Sequence, residues 1–301
     1  MRRIKEGKQM AENKKGKLIA FLFLIILGIC WFEPIVWLFT NSFKFDADFI
    51  TSFANITGPM DYLTRLIPRQ WTVSNYTELF FGGENVNTNA NIGLMFQNSF
   101  TVSITVTLLT VFITSLSAFA YERLNFKGGD KIFWTLMYLS MFPNVVAILP
   151  QFRIANALGW VNNLNALIWP SLAGVFNIFL IRNFMKSIPK ALDEAATIDG
   201  ASSFQVYLHI ILPSIMPVMI VVGLFAFNGS WNDYLWPRIV LTDVNNQTLT
   251  PGLRLLSGQY EQRWAHMIAS CLVSMVPPFV LYLCAQKYFL QGISVQAGVK
   301  G

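Results

Sequence analysis

The sequence predicts an all-α, polytopic membrane protein with six spanning helices and both ends on the cytoplasmic side. Three observations carry this expectation. Only 13% of the 301 residues are charged and 54% are hydrophobic, with a mean hydropathy of +0.47. A soluble domain carries about a quarter charged residues, so the composition points to a bilayer. Six apolar segments, at about 18–40, 97–120, 131–152, 165–186, 213–237 and 266–287, are long enough to cross a hydrocarbon core, which takes roughly 20 residues. Lys and Arg are also unevenly spread. With the N-terminus inside, 15 of the 22 fall in cytoplasmic segments and seven in the three external loops. The net charge of +6 then follows largely from a basic cluster facing an anionic membrane surface, and requires no nucleic acid.

The elements follow in order. Residues 1–17 hold Arg2, Arg3, Lys5, Lys8, Lys14, Lys15 and Lys17. The apolar run behind them continues past Glu33-Pro34 to Thr40 with no small-residue cleavage site, so a retained first helix is expected rather than a secretory leader. Glu33 is expected to partner freed backbone groups or a neighbouring helix. An external loop, 41–96, carries the turn signals Gly58-Pro59, Gly82-Gly83 and the Asn-rich run 85–91. Its Trp71 and Tyr76 suit a membrane interface. The second span is rich in hydroxyls, from Thr101 and Ser103 through Thr110 and Thr114 to Ser117, and these are expected to pack helices closely. Pro143 and Pro150 in the third span, and Pro170 with Gly174 in the fourth, predict kinks. The loop at 238–265 is long for a connection between spans. Cys30, Cys271 and Cys284 form no ligand pattern and read as packing residues inside helices.

One polar island, Pro189 to Pro213, separates the fourth and fifth apolar runs. Pro189 suits a helix start, and Asp193 and Glu194 in the first turns suit the helix dipole. Gly200 is placed to end that helix. Ser202 or Ser203 can cap a second short helix carrying Phe204, Tyr207, Leu208 and Ile211 at helical spacing. The first helix is expected to present Leu192, Ala195, Ala196 and Asp199 on one side. Its small alanines permit close docking, and Glu194 can anchor a partner Arg or backbone N–H.

Glu194-Ala195-Ala196, Asp199-Gly200-Ala201 and Leu212-Pro213 together resemble the EAA loop of binding-protein-dependent ABC importers. The chain is similar to the second permease of the carbohydrate-uptake, maltose-type branch. Further matches are Pro34–Trp37, Asn98-Ser99, Ala118–Phe126, Phe142-Pro143, Leu149-Pro150, Trp231–Pro237 and Gly298–Gly301. The resemblance implies a type I importer fold, with a transmembrane core over 97–290, a coupling loop at 187–213 and a cytoplasmic tail at 291–301. It implies that Asp193, Glu194, Ala195, Ala196, Asp199 and Gly200 form the ATPase-coupling loop, and that loop 238–265 faces the binding protein. Its implied partners are a second permease, two ATPase subunits, an external solute-binding protein and membrane lipid, in a bacterial or archaeal inner membrane. This chain itself would bind no cofactor, because ATP and Mg belong to the ATPase subunits and no G-x-x-x-x-G-K-[ST] occurs.

Polar residues in or near the spans are candidates to line a pathway: Asn144, Asn228, Trp231, Asn232 and Asp233, with Asn177 beside them. An indole face with nearby amides suits sugar recognition, whereas Trp236 suits an interfacial anchor. A permease for a sugar or oligosaccharide is the expected function. The alternatives are a permease for glycerol phosphate or an acidic oligosaccharide, an ATP-independent carrier, and a membrane enzyme. The carrier predicts internal repeats or ion relays, of which only Glu33 and Asp233 are candidates. The enzyme finds no clustered carboxylates and only the separate His209 and His266.

Overall fold

A computed structural model describes the backbone of residues 2–53, 56–81, 91–172, 174–256 and 263–298, with side chains over 16–52, 56–81, 91–172, 174–254 and 263–288. Gly82-Gly83, Asn85, Asn87, Asn89, Gly258, Glu261 and residues 299–301 lie outside the described residues. Among those described, regular structure is helical throughout. Three helices are long and apolar enough to cross a membrane: the Gly16–Ser42 part of α1 (Arg2–Ser42), α5 (Ile92–Arg123), and the Trp264–Tyr288 part of α16 (Trp264–Gly298). Three further segments reach that length only as bent pairs, giving up to six spans.

The bends correct three of the expected spans. The segment expected at 131–152 is two helices, α6 (Gly129–Leu139) and α7 (Asn144–Ala157), set at 101°. The break falls just before Asn144, where Pro143 supplies no N–H to continue the first helix. The segment at 165–186 divides into α8 (Asn165–Ser171) and α9 (Val175–Met185), bent by 40°. The segment at 213–237 starts on an arm at Ser203, turns by 78° at Ile215 and ends at Trp231, so Pro213 lies within the arm. Its last residues instead form α14 (Leu235–Val240).

Between α1 and α5 lie three short helices, α2 (Asp46–Phe53), α3 (Pro59–Leu66) and α4 (Ser74–Phe81). They fold back on the end of α1. Asn75 donates through Nδ2 to the carbonyls of Ser42 and Lys44, both at 2.8 Å. Tyr76 donates to Ser42 Oγ at 2.6 Å and packs its ring on Phe43, so it is a partner within the chain. Glu33 accepts a hydrogen bond from the Tyr62 hydroxyl, a link to a neighbouring helix of the kind the sequence suggested.

α5 is the axis of the fold. Ser99, Ser103, Thr110, Thr114 and Ser115 are buried along it, as the packing reading of its hydroxyls expects. Thr107 and Thr114 return their hydroxyls to carbonyls one turn back, and Ser115 Oγ lies 2.8 Å from Tyr207 Oη. α5 packs against α13 (Met216–Trp231) and α9. At its beginning, Asn98 donates to the carbonyls of Asn245 and Gln247, and Ser99 Oγ accepts from the N–H of Leu249 in α15 (Leu249–Leu256). The three cysteines lie inside helices as expected, but Cys30 and Cys284 are exposed and Cys271 is half-buried.

Candidate functional site

The polar island folds into a bent arm at the α5 terminus that carries Arg123, remote from the Asn98–Leu249 end. Its first helix is α10 (Ala191–Ile198), capped by Asp199. The chain then reverses at Gly200, whose φ of +86° is the left-handed conformation that favours glycine. Gly200 N–H donates to Thr197 O at 3.0 Å and Ala201 N–H to Ala196 O at 2.9 Å, the paired closure that follows a left-handed cap. Ser202 caps the second helix, α11 (Ser203–Val206), in a reciprocal box with Gln205. The chain continues through a π-helical turn, Tyr207–Ile211, and a short helix, α12 (Leu212–Ser214), to the 78° bend.

The two faces of α10 differ from the expected grouping. Ala196 packs on a core cluster that includes Ile181, Met185, Val206 and Ile211, so it faces the fold. Asp193 also faces inward. The exposed side holds Glu194, Ala195 and Asp199, with Leu192 at 48% and Ile198 at 86% exposure. Side chains at 193 and 196 lie on one stripe, and those at 191, 194, 195 and 198 on the other, as a 3.6-residue period requires.

What holds α10 is Arg123, and a second arginine, Arg182, braces the helices beside it. Arg123, the last residue of α5, places Nε 3.1 Å from Asp193 Oδ2. Its Nη2 donates to the carbonyls of Met185 and Ile188, at 3.1 and 2.9 Å, satisfying the end of α9. Arg182 in α9 donates to Glu122 Oε2 at 3.0 Å and to Asp130 Oδ1 at 2.6 Å, with its guanidinium 4.6 Å from the Phe133 ring centre. The neighbours Glu122 and Arg123 thus tie α5 to α6, α9 and α10 together. A buried charge demands such partners, so charged residues at the ends of apolar runs were the available signal.

The pathway candidates separate. A cavity of about 260 Å³ opens between α5, α8, α9 and α13, lined by Thr110, Ser171, Asn177, Ser230 and Asp233 among apolar side chains. It brings Asn177 and Asp233 together. Asp233 also turns its carboxyl toward the backbone amides of Tyr234, Leu235 and Trp236 at the start of α14. The other four candidates do not line it. Trp231 is 1% exposed, stacks on Phe227 and donates through Nε1 to Ser274 O at 2.9 Å, so it is a core residue. Asn228 and Asn232 each donate to the carbonyl four residues back, at 3.0 Å. Asn144 is exposed at the start of α7. Trp236 is buried and donates to Ala166 O, which removes it from an interfacial role.

Residues 118–295 match the family model described as "Binding-protein-dependent transport system inner membrane component". The chain belongs to that family. Across 286 residues it is 31% identical to the sn-glycerol-3-phosphate transport system permease protein UgpE of Salmonella typhi, covering 94% of this chain and 98% of that one. It is 29% identical over 291 residues to the trehalose/maltose transport system permease protein MalG of Thermococcus litoralis, covering 96% and 99%. The fold matches a chain of a bacterial ABC transporter involved in the import of the acidic polysaccharide alginate, with a TM-score of 0.78, 19% identity and 92% and 98% coverage. The matched region contains the whole α10–α11 arm and the cavity-lining residues from Leu167 onward. This permease is an inner-membrane subunit of a binding-protein-dependent ABC importer with the type I fold.

Proposed function

We propose that this permease moves a neutral sugar or oligosaccharide, and that α10 docks the ATPase subunits that drive the movement. The carrying observation is the division of α10: Asp193 and Ala196 are turned into the fold while Glu194, Ala195 and Ile198 stand exposed. An Ile at 86% exposure beside a carboxylate and an alanine is an unfilled half of a contact. Residues Glu194, Ala195, Asp199 and Gly200 form the docking element, with Asp193 and Ala196 as its inward anchors. The Lys and Arg distribution supports an inside position for the arm and both chain ends. ATP and Mg are held by the ATPase subunits, and a second permease completes the pathway. The solute arrives on an external binding protein. An alginate transporter of the same fold has been solved in complex with an alginate pentasaccharide-bound periplasmic protein, with a TM-score of 0.58 and 19% identity.

The cavity favours neutral cargo over the acidic alternatives. Its described lining carries one carboxyl, Asp233, and no Lys or Arg. A phosphate or uronate would find no cationic partner there, whereas hydroxyls, an amide and a carboxyl suit sugar hydroxyls. The test reconstitutes the complete importer with its binding protein and measures ATP-dependent uptake of radiolabelled trehalose, maltose and sn-glycerol 3-phosphate. Uptake of a neutral sugar, with no competition from glycerol phosphate, is expected. Transport of glycerol phosphate alone overturns the cargo assignment. A purified permease pair that retains no ATPase subunit overturns the docking assignment.

A further inference from the structure

We propose that Arg123 is a positioning residue of the transport cycle: through Asp193 it locks α10 to α5, so that movement of the docked arm is delivered first to the helix that lines the cavity. The inference rests on the docking reading above and adds the route by which motion leaves the arm.

Three observations carry it. The Arg123 side chain is 5% exposed and that of Asp193 19%, so the pair is shielded from the water and salt that weaken surface ion pairs. Arg123 also holds the carbonyls of Met185 and Ile188, so a single guanidinium joins the end of α5, the end of α9 and the middle of α10. A second tether follows in the same arm. Tyr207, 3% exposed in the π-helical turn, sits 2.8 Å from Ser115 Oγ two turns earlier on α5. The arm therefore grips α5 on both sides of the Gly200 reversal, and α10 cannot shift without α5 or without breaking a buried ion pair.

α5 is also the helix through which such a shift has consequences. Beyond the tethers it presents Thr110, Val106 and Val102 to the cavity. Farther still, Asn98 and Ser99 hold the 245–249 backbone at the opposite end. One rigid element thus spans the arm, the cavity and the remote loops. Coupling that depends on a discrete two-state element needs such a physical link.

The experiment uses the assembled importer in nanodiscs, with Cys30, Cys271 and Cys284 replaced by Ser and one reporter thiol introduced as Ser230→Cys in the cavity. Labelling by a methanethiosulfonate reagent is timed with and without ATP and vanadate, alongside ATPase turnover. In the parent complex, trapping changes the labelling rate. With Arg123→Gln, ATPase subunits remain bound and turnover persists, but the trapping effect on Cys labelling shrinks about tenfold, as loss of a coupling free energy requires. Should that variant fail to accumulate, Arg123→Lys keeps the charge but gives up the fork and is measured in the same way, with an intermediate reduction expected. A parental labelling response in either variant overturns the proposal. So does loss of ATPase subunits on Arg123→Gln, since the pair would then belong to the docking surface. Failure of the docking reading is distinct, because the parent complex itself would lack ATPase subunits.

Discussion

Gly200 offers the sharpest test of how the arm is built, because conformation and bulk make opposite forecasts there. Its φ is +86°, and a Cβ added to it meets no atom within 4 Å. Neighbouring groups therefore impose no penalty, and the cost of a side chain lies in the backbone alone. An L-residue held in the left-handed region loses about 1–2 kcal/mol, which is about a 5- to 30-fold fall in the fraction of arms in this shape. Asn tolerates that region best after glycine, and a β-branched residue tolerates it least. Binding of ATPase subunits to the purified permease pair should weaken in the order Gly, Asn, Ala, Val. Titration of labelled ATPase subunits against each variant reads this as an apparent Kd. If Ala binds better than Asn, the ranking follows size, and position 200 is a contact surface rather than a conformational joint. If Val matches Gly, the left-handed closure is irrelevant to docking and the reasoning fails outright.

Two further outcomes follow from the ion pairs and the α1–α3 contact. Arg182→Met strands the Glu122 carboxylate, whose side chain is 11% exposed, and should cost about 3–5 kcal/mol, read as a fall in thermal unfolding temperature in detergent. Asp130→Asn should cost a small fraction of that, since its side chain is 75% exposed, and equal losses would contradict the assignment. The Tyr62 hydroxyl is pushed up to about 12 by burial and by the Glu33 carboxylate that accepts from it. The neutral phenol is the stabilised form, so this contribution is complete below pH 10 and is lost as pH rises through about 12. The phenolate absorbance difference between the parent and Tyr62→Phe should titrate late, and Glu33→Gln should bring its midpoint down.

Much of the arm was legible in the chain because its signals are local. Gly200 marks a backbone conformation, Ser202 or Ser203 marks a cap, and Asp193 and Glu194 mark a helix start. Each depends on residues within one turn, and the structure realises each of them. The division of α10 was less legible. Alanines at 195 and 196 look alike in sequence, yet the first is exposed and the second packs on the core cluster that includes Ile181 and Met185. The cavity was least legible. Asn228, Trp231, Asn232 and Asp233 are neighbours in the chain, but of these only Asp233 lines it, together with Asn177 from another helix. Trp231 turned into the core because its indole N–H found the Ser274 carbonyl.

The sequence by itself determined that this protein is helical and made for a bilayer, where apolar segments stop and restart, and that one polar island is shaped as a two-helix arm. Those properties come from composition, period and local backbone preference. The tertiary structure alone decided which charges face each other, and so which residue ties the arm to the fold. Arg123 and Asp193 lie 70 positions apart, and no periodicity links them. Their pairing follows from burial, since a guanidinium at the end of an apolar helix requires a counter-charge wherever the packing of α9 and α10 can bring one.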